Sequence, residues 1–249
     1  MQKPIILFSM PSSGSDWFAD TIKFSQNNIF YYREFFNPAT NQFYDDILSP
    51  EFGCEYISCY KNIFKYDREN CDIILKNTWN KQKFNFTKEN YAISKAEFFV
   101  ENFRCIAFTR DIENSFPPSR GGQVYGWYDA IYKSLLDNIN NLPEKLQIKV
   151  LSFSQEKNNL ISNFVFSFLA YKEYFEYQCK KFNIPIVRYE NVIKNSKSDI
   201  ESFLKQRIEY LNAETWTNKI LQTRSHKKKD FYKLDCEWII SKYFTNFLY

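Results

Sequence analysis

The sequence predicts an α/β fold: a mainly parallel central sheet with helices on both faces. Two observations carry that prediction. Short β-rich apolar runs, Pro4 to Ser9, Asp72 to Lys76, Arg104 to Thr109 and Ile184 to Val187, end in polar residues, and each is followed by apolar residues at helical spacing. Strands that alternate with helices close into a parallel sheet, because every crossover must travel back over one face. The second observation is the turn after the first run, where Ser12-Ser13-Gly14-Ser15 uses one of only five glycines in 249 residues. A chain leaving a strand for a helix must turn sharply there, and glycine accepts such backbone conformations most readily.

The first strand is centred on Ile5-Ile6-Leu7-Phe8, continuous in the way of a strand covered on both faces. A helix follows over Trp17 to Ser25, then a strand over Ile29 to Glu34. Asp72 to Lys76 supplies the next strand, Lys88 to Asn102 a helix, Arg104 to Thr109 a strand, and Trp127 to Asn140 and Leu160 to Phe182 two helices. Ile184 to Val187 is the last strand, ahead of helices over Ser198 to Leu211 and Leu234 to Phe247. No Pro/Gly/Ser-rich linker, low-complexity block or internal repeat interrupts the series, so residues 1–249 read as one domain. In open sheets of this kind ligands bind beyond the carboxyl ends of the strands, so function is sought in the residues that end each strand.

Composition narrows the function. The net charge is +4, with 33 basic against 29 acidic residues, too small an excess to argue for a nucleic-acid partner. Six cysteines, Cys54, Cys59, Cys71, Cys105, Cys179 and Cys236, form no CxxC pair and read as reduced thiols. His226 is the only histidine, so no metal site is expected. The longest apolar region, Phe164 to Tyr171, is too short to span a bilayer, and the amino-terminal run is too short for a signal peptide. A soluble, cytoplasmic protein without membrane insertion is expected.

The turn is the strongest chemical signal. Backbone N–H groups converge there, and the positive end of the following helix dipole adds to them, which suits an anion such as phosphate. A nucleoside-triphosphate site would end in Gly-Lys-Ser/Thr, whose lysine and hydroxyl serve the β and γ phosphates and magnesium. No Gly-Lys pair occurs anywhere in the chain. A turn of serines and one glycine instead suits a nucleotide held without a metal, and the same letters also fit an ordinary turn with a serine helix cap.

Pro11, Ser13, Gly14, Ser15 and Trp17 resemble the 5′-phosphosulfate loop of the sulfotransferases that use 3′-phosphoadenosine 5′-phosphosulfate, PAPS. The resemblance implies a P-loop NTPase-like sulfotransferase fold, with Ser12, Ser13, Gly14, Ser15, Asp16 and Trp17 at the cofactor's 5′ end. Two positions depart from the family: Ser12 stands where a cation is usual, and Asp16 where a hydroxyl is usual. A carboxylate about 5.5 Å from a phosphate charge would cost roughly 3 kcal/mol at an effective dielectric near 20, so Asp16 must point away or be paired. First-turn placement on a helix also suits a carboxylate for purely structural reasons.

The remaining strand ends extend the resemblance. Glu34, in Arg33-Glu34-Phe35-Phe36, resembles the glutamate proposed as the base in carbohydrate-type bacterial sulfotransferases, and equally suits a surface pair with Arg33. Lys76, in Leu75-Lys76-Asn77-Thr78, matches the lysine of the cytosolic Lys-Thr-His motif, where it would stabilise charge on the leaving phosphate; a solvated lysine is the plain alternative. Asn77 and Thr78 exclude a histidine base at that place. Arg110, at the end of Phe108-Thr109-Arg110, resembles the 3′-phosphate arginine, whose planar fork suits a phosphate; its serine partner is either Ser115 or Ser119. Val187-Arg188-Tyr189-Glu190-Asn191 resembles a segment that is mainly architectural in the family. Lys227 and Lys228, in Arg224-Ser225-His226-Lys227-Lys228-Lys229, lie where the family closes a basic segment over the 3′-phosphate, although a lysine run also reads as a solvated or acidic-partner face.

These resemblances run through the chain in the family's order. They imply a sulfotransferase with PAPS as co-substrate and no metal, moving a sulfuryl group to a hydroxyl or amine of a carbohydrate or small molecule. The aromatic stretches Asn37 to Tyr66 and Pro117 to Tyr128 would line the acceptor pocket. The alternative, motivated by Ser12, Asp16 and the missing histidine, is a nucleotide- or partner-binding protein on the same fold with impaired transfer chemistry.

Overall fold

The computed structural model describes residues 3–10, 13–25, 29–33, 63–78, 85–110, 131–194, 197–198, 201–202, 218 and 237–245. Within them five strands form one sheet: β1 (Ile5–Ser9), β2 (Tyr31–Arg33), β3 (Phe86–Asn90), β4 (Arg104–Thr109) and β5 (Ile186–Arg188). Their spatial order is β2-β3-β1-β4-β5, and every neighbouring pair is parallel. The fold is α/β, as the alternation of strands and helices requires.

Strand β1 is central. Ile5 to Ser9 align with Phe86 to Asn90 on one side and with Arg104 to Phe108 on the other. Its residues divide between two core layers with the period of a strand. Ile6 and Phe8 join Ala107 in a layer with Phe98, Phe99, Phe164, Phe168 and Tyr171. Ile5 and Leu7 join Phe86, Ile106, Phe108 and Val187 in a second layer with Phe18, Ala19 and Ile22. The second layer is closed by helix α1 (Ser15–Ser25), which starts directly after the serine-glycine turn.

One expected strand is a helix. Asp72 to Lys76 lies inside α2 (Arg68–Thr78). Only three apolar residues separate Asp72 from Lys76, and the buried positions Cys71 and Leu75 are four apart, which is helical spacing. The place between β1 and β2 belongs instead to β3, in the stretch expected to open a helix. The expected helix Lys88 to Asn102 therefore divides into the end of β3, a 3-10 turn at Ile93–Lys95 and a short α3 (Ala96–Asn102). Thr87, Lys88 and Glu89 are wholly buried although polar, because β3 is flanked on both edges and covered on both faces.

Helix α4 (Glu144–Ser154) was not expected from the sequence; Pro143 stands at its amino-terminal cap. The long α5 (Leu160–Lys181) begins in a capping box, with the Ser162 N–H donating to Asn159 Oδ1 at 2.9 Å and the Asn159 N–H to Ser162 Oγ at 2.8 Å. It ends where Asn183 takes a left-handed φ of 54° and the Ile184 N–H returns to the Cys179 carbonyl, turning the chain into β5. Helices α6 (Tyr189–Lys194) and α7 (Glu237–Tyr243) complete the described elements that bear on the fold. Burial pushes the Cys71 thiol up to about 11 and Cys105 up to about 12, and raises Cys179 as well, so all three are inert packing groups at neutral pH. Among the described residues no helix is long and apolar enough to cross a membrane.

Candidate functional site

Because all five strands are parallel, their carboxyl ends share one edge of the sheet. The turn from β1 into α1 is built on that edge by main-chain bonds. Met10 N–H donates to the Phe108 carbonyl at 3.3 Å, and Ser9 Oγ donates to Asn90 Oδ1 at 2.5 Å, tying β1 to β4 and β3. The Met10 carbonyl then accepts from both the Ser13 N–H at 3.3 Å and Ser13 Oγ at 2.6 Å. Ser13 is wholly buried, and its hydroxyl proton is used to close the turn, not offered outward as a phosphate donor.

Gly14 comes next with φ +84°, a conformation that strains any side-chain-bearing residue. The Tyr189 ring lies 3.8 Å from where a Cβ would stand. The Phe18 N–H donates to the Gly14 carbonyl at 3.1 Å and makes the first helical bond. The N–H groups of Ser15, Asp16 and Trp17 precede that bond and face out of the helix's amino end.

Cations gather around the turn. Lys88 shares a face of β3 with Phe86, runs up beneath α1 wholly buried, and places Nζ 2.7 Å from Asp16 Oδ1. Of the two expected arrangements for Asp16, pointing away or being paired, the structure shows the pair, and the Asp16 side chain stays 60% exposed. Arg110, with a side chain only 10% exposed, lays its guanidinium 4.2 Å from the centre of the Tyr189 ring and has Nε 3.8 Å from Glu190 Oε1. Trp17 meets the same Tyr189 ring edge-on at 5.7 Å. One aromatic side chain thus touches the glycine turn, the tryptophan and the arginine.

On the other face of the sheet, buried Lys172 of α5 donates to Thr109 Oγ1 at 3.3 Å and to Glu176 Oε1 at 3.0 Å. Arg188 Nη2 lies 3.8 Å from the same Glu176 oxygen. Buried Glu89 accepts from Thr87 Oγ1 at 2.9 Å. Burial holds the nearby Lys95 ammonium below the ordinary lysine value, with Cys71, Glu89 and Asp67 acting in the opposite direction.

The structure thus brings together Ser13, Gly14, Ser15, Asp16, Trp17 and Arg110. It does not bring Lys76 to a strand end: Lys76 sits exposed in the last turn of α2, because the run that suggested a strand is helical. Glu34, Ser12, Ser115, Ser119, Lys227 and Lys228 lie outside the described residues, as do residues 117–128 and residues 37–62 of the stretch Asn37 to Tyr66; at its described end Ile63 and Phe64 are buried in the core, with Tyr66 packed against it. Two cations at this edge escaped the reading of the sequence. Lys88 was legible only if Phe86-Thr87-Lys88-Glu89-Asn90 had been taken as a strand, and the one mark on Lys172 is its place as the first charge after the apolar run Phe164 to Tyr171. Among the described residues no group of three or more His, Cys, Asp and Glu is placed to hold a metal.

Comparison with protein-family models, with curated proteins and with solved structures finds no match to this chain.

Proposed function

We propose that the chain is a PAPS-dependent sulfotransferase, on a P-loop NTPase-like form of the α/β fold. The observation that carries this reading is the Tyr189 ring, which packs against the Gly14 turn on one contact and beneath the Arg110 guanidinium on another. A ligand with an anionic group at each end of a nucleoside would find a backbone anion turn and a charged fork set across a single aromatic residue. Without a Gly-Lys pair, the turn lacks the lysine of a nucleoside-triphosphate site.

In this reading the N–H groups of Gly14 to Trp17 hold the 5′-phosphosulfate, and Arg110 holds the 3′-phosphate. Lys88 replaces Lys76 as the cation that stabilises charge on the leaving phosphate. An acceptor hydroxyl oxygen attacks sulfur, the bond from sulfur to the bridging phosphate oxygen breaks, and Glu34 takes the hydroxyl proton. The products are the sulfated acceptor and adenosine 3′,5′-bisphosphate. Arg110→Ala should weaken bisphosphate binding by about 1.5–3 kcal/mol, the size of a charged hydrogen-bonding contact. Calorimetry measures this directly, and unchanged affinity removes Arg110 from the site.

The rival reading, a binding protein without turnover, is favoured by one observation: Asp16 already neutralises the cation nearest the turn. Titration with adenosine 3′,5′-bisphosphate in the absence of magnesium, with AMP and ATP as controls, tests the nucleotide site. Transfer of labelled sulfate from PAPS to a panel of glycans and small hydroxyl compounds then separates the two readings. Binding that requires the 3′-phosphate, followed by transfer, is the expected result; a folded protein that binds no bisphosphate removes the sulfotransferase reading.

A further inference from the structure

The pair between Asp16 and Lys88 has an asymmetry that bears on what the turn accepts. Lys88 is wholly buried on the face of β3 that puts Phe86 in the layer with Phe18 and Ala19, and its ammonium meets Asp16 at the amino end of α1. Asp16 stands in the first turn of that helix with more than half of its side chain in water. The cation is enclosed by packing, whereas the anion stands largely in water. A buried ammonium is stabilised by whatever negative charge is nearest, so an incoming anion and the Asp16 carboxylate compete for the same group.

We infer that Asp16 is a resident counter-anion that limits the negative charge the turn admits, making it a specificity-determining residue. This rests on the turn being the anion site proposed above. With Asp16 in place, Lys88 is already balanced, and a ligand must either displace the carboxylate or bear its repulsion. Each additional ligand charge raises that cost, so a sulfate-like dianion is disfavoured less than a more highly charged diphosphate. The filter therefore discriminates by charge where hydrogen bonding from N–H groups alone would not.

The test compares the native protein with Asp16→Asn, which keeps the size and helix-start character of the side chain but removes its charge. Sulfate, pyrophosphate and adenosine 3′,5′-bisphosphate are titrated without magnesium, by calorimetry and by thermal shift. The variant should bind sulfate about tenfold more tightly, and pyrophosphate with a distinctly larger gain, since the repulsion removed scales with ligand charge. Asp16→Glu, which keeps the charge, should behave as the native protein. Equal affinities in the native protein and the Asp16→Asn variant, or one uniform gain for every anion, would overturn the inference, because a change in helix capping alone would not sort ligands by charge. If sulfate and pyrophosphate show the expected order while the bisphosphate does not bind, the charge filter stands and the nucleotide reading falls. If the bisphosphate binds both proteins equally, the filter falls and the nucleotide reading stands. Binding of no anion by either protein overturns both.

Discussion

Phe8→Ala should destabilise the protein by about 3–5 kcal/mol, a large share of what a domain of ordinary stability possesses. Phe8 is wholly buried on the central strand, and its ring meets Phe99 edge-on at 5.3 Å. Its neighbours in the sheet are Glu89 and Ala107, so it anchors both flanking strands to the layer beneath α5. Truncation would leave a cavity between the sheet and the layer that holds Phe99. Denaturant unfolding measures the loss as a fall in midpoint at constant slope. The effect reaches the candidate site, because Met10, whose carbonyl closes the serine-glycine turn, lies two residues further along the same chain. A loss below about 1 kcal/mol would mean that this layer is far more loosely packed than its buried rings imply.

On the proposed function, Glu34→Gln should cut sulfuryl transfer on the order of 100-fold or more while leaving bisphosphate affinity intact, because only the proposed proton acceptor is lost. Single-turnover transfer at saturating PAPS isolates the chemical step, and full activity in the glutamine variant rejects Glu34 as base. Lys76→Ala is the matching control. Lys76 projects from an exposed helix end, so its replacement should change neither rate nor affinity.

Most of the sheet was legible because its strands are marked by composition. The expected range Arg104 to Thr109 coincides with β4, and Ile184 to Val187 reaches β5 within a turn's length. The long helix from Leu160 was legible too, since its apolar residues recur over many turns. Strand β3 was not, for a physical reason: Phe86-Thr87-Lys88-Glu89-Asn90 has one apolar residue, and lysine and glutamate are good helix formers. Its polar side chains are tolerated inside because each finds a partner there: Asp16 for Lys88, Thr87 for Glu89, Ser9 for Asn90. Such pairings are tertiary and leave no mark in a short window of sequence. On the proposed function, the same fact moves the cationic role from Lys76 to Lys88. The turn itself was readable from Ser13-Gly14-Ser15, and so was the requirement that Asp16, if beside a phosphate, point away or be paired; which of the two holds, and the identity of its partner, were not.

The order of strands has a consequence for how the chain reaches this state. Ser9 and its partner Asn90 are 81 residues apart in sequence, and β1 also awaits β4. During synthesis from the amino terminus, β1, the strand that leads into the serine-glycine turn, emerges before the other four described strands and waits longest. β2, though made before β3, borders only β3 and has nowhere to dock until that later strand is in place. Assembly of the sheet thus depends on pairing between distant segments, which slows it and leaves Ile5-Ile6-Leu7-Phe8 open to wrong partners in the interval. Chaperone dependence during expression would be the practical sign of that delay.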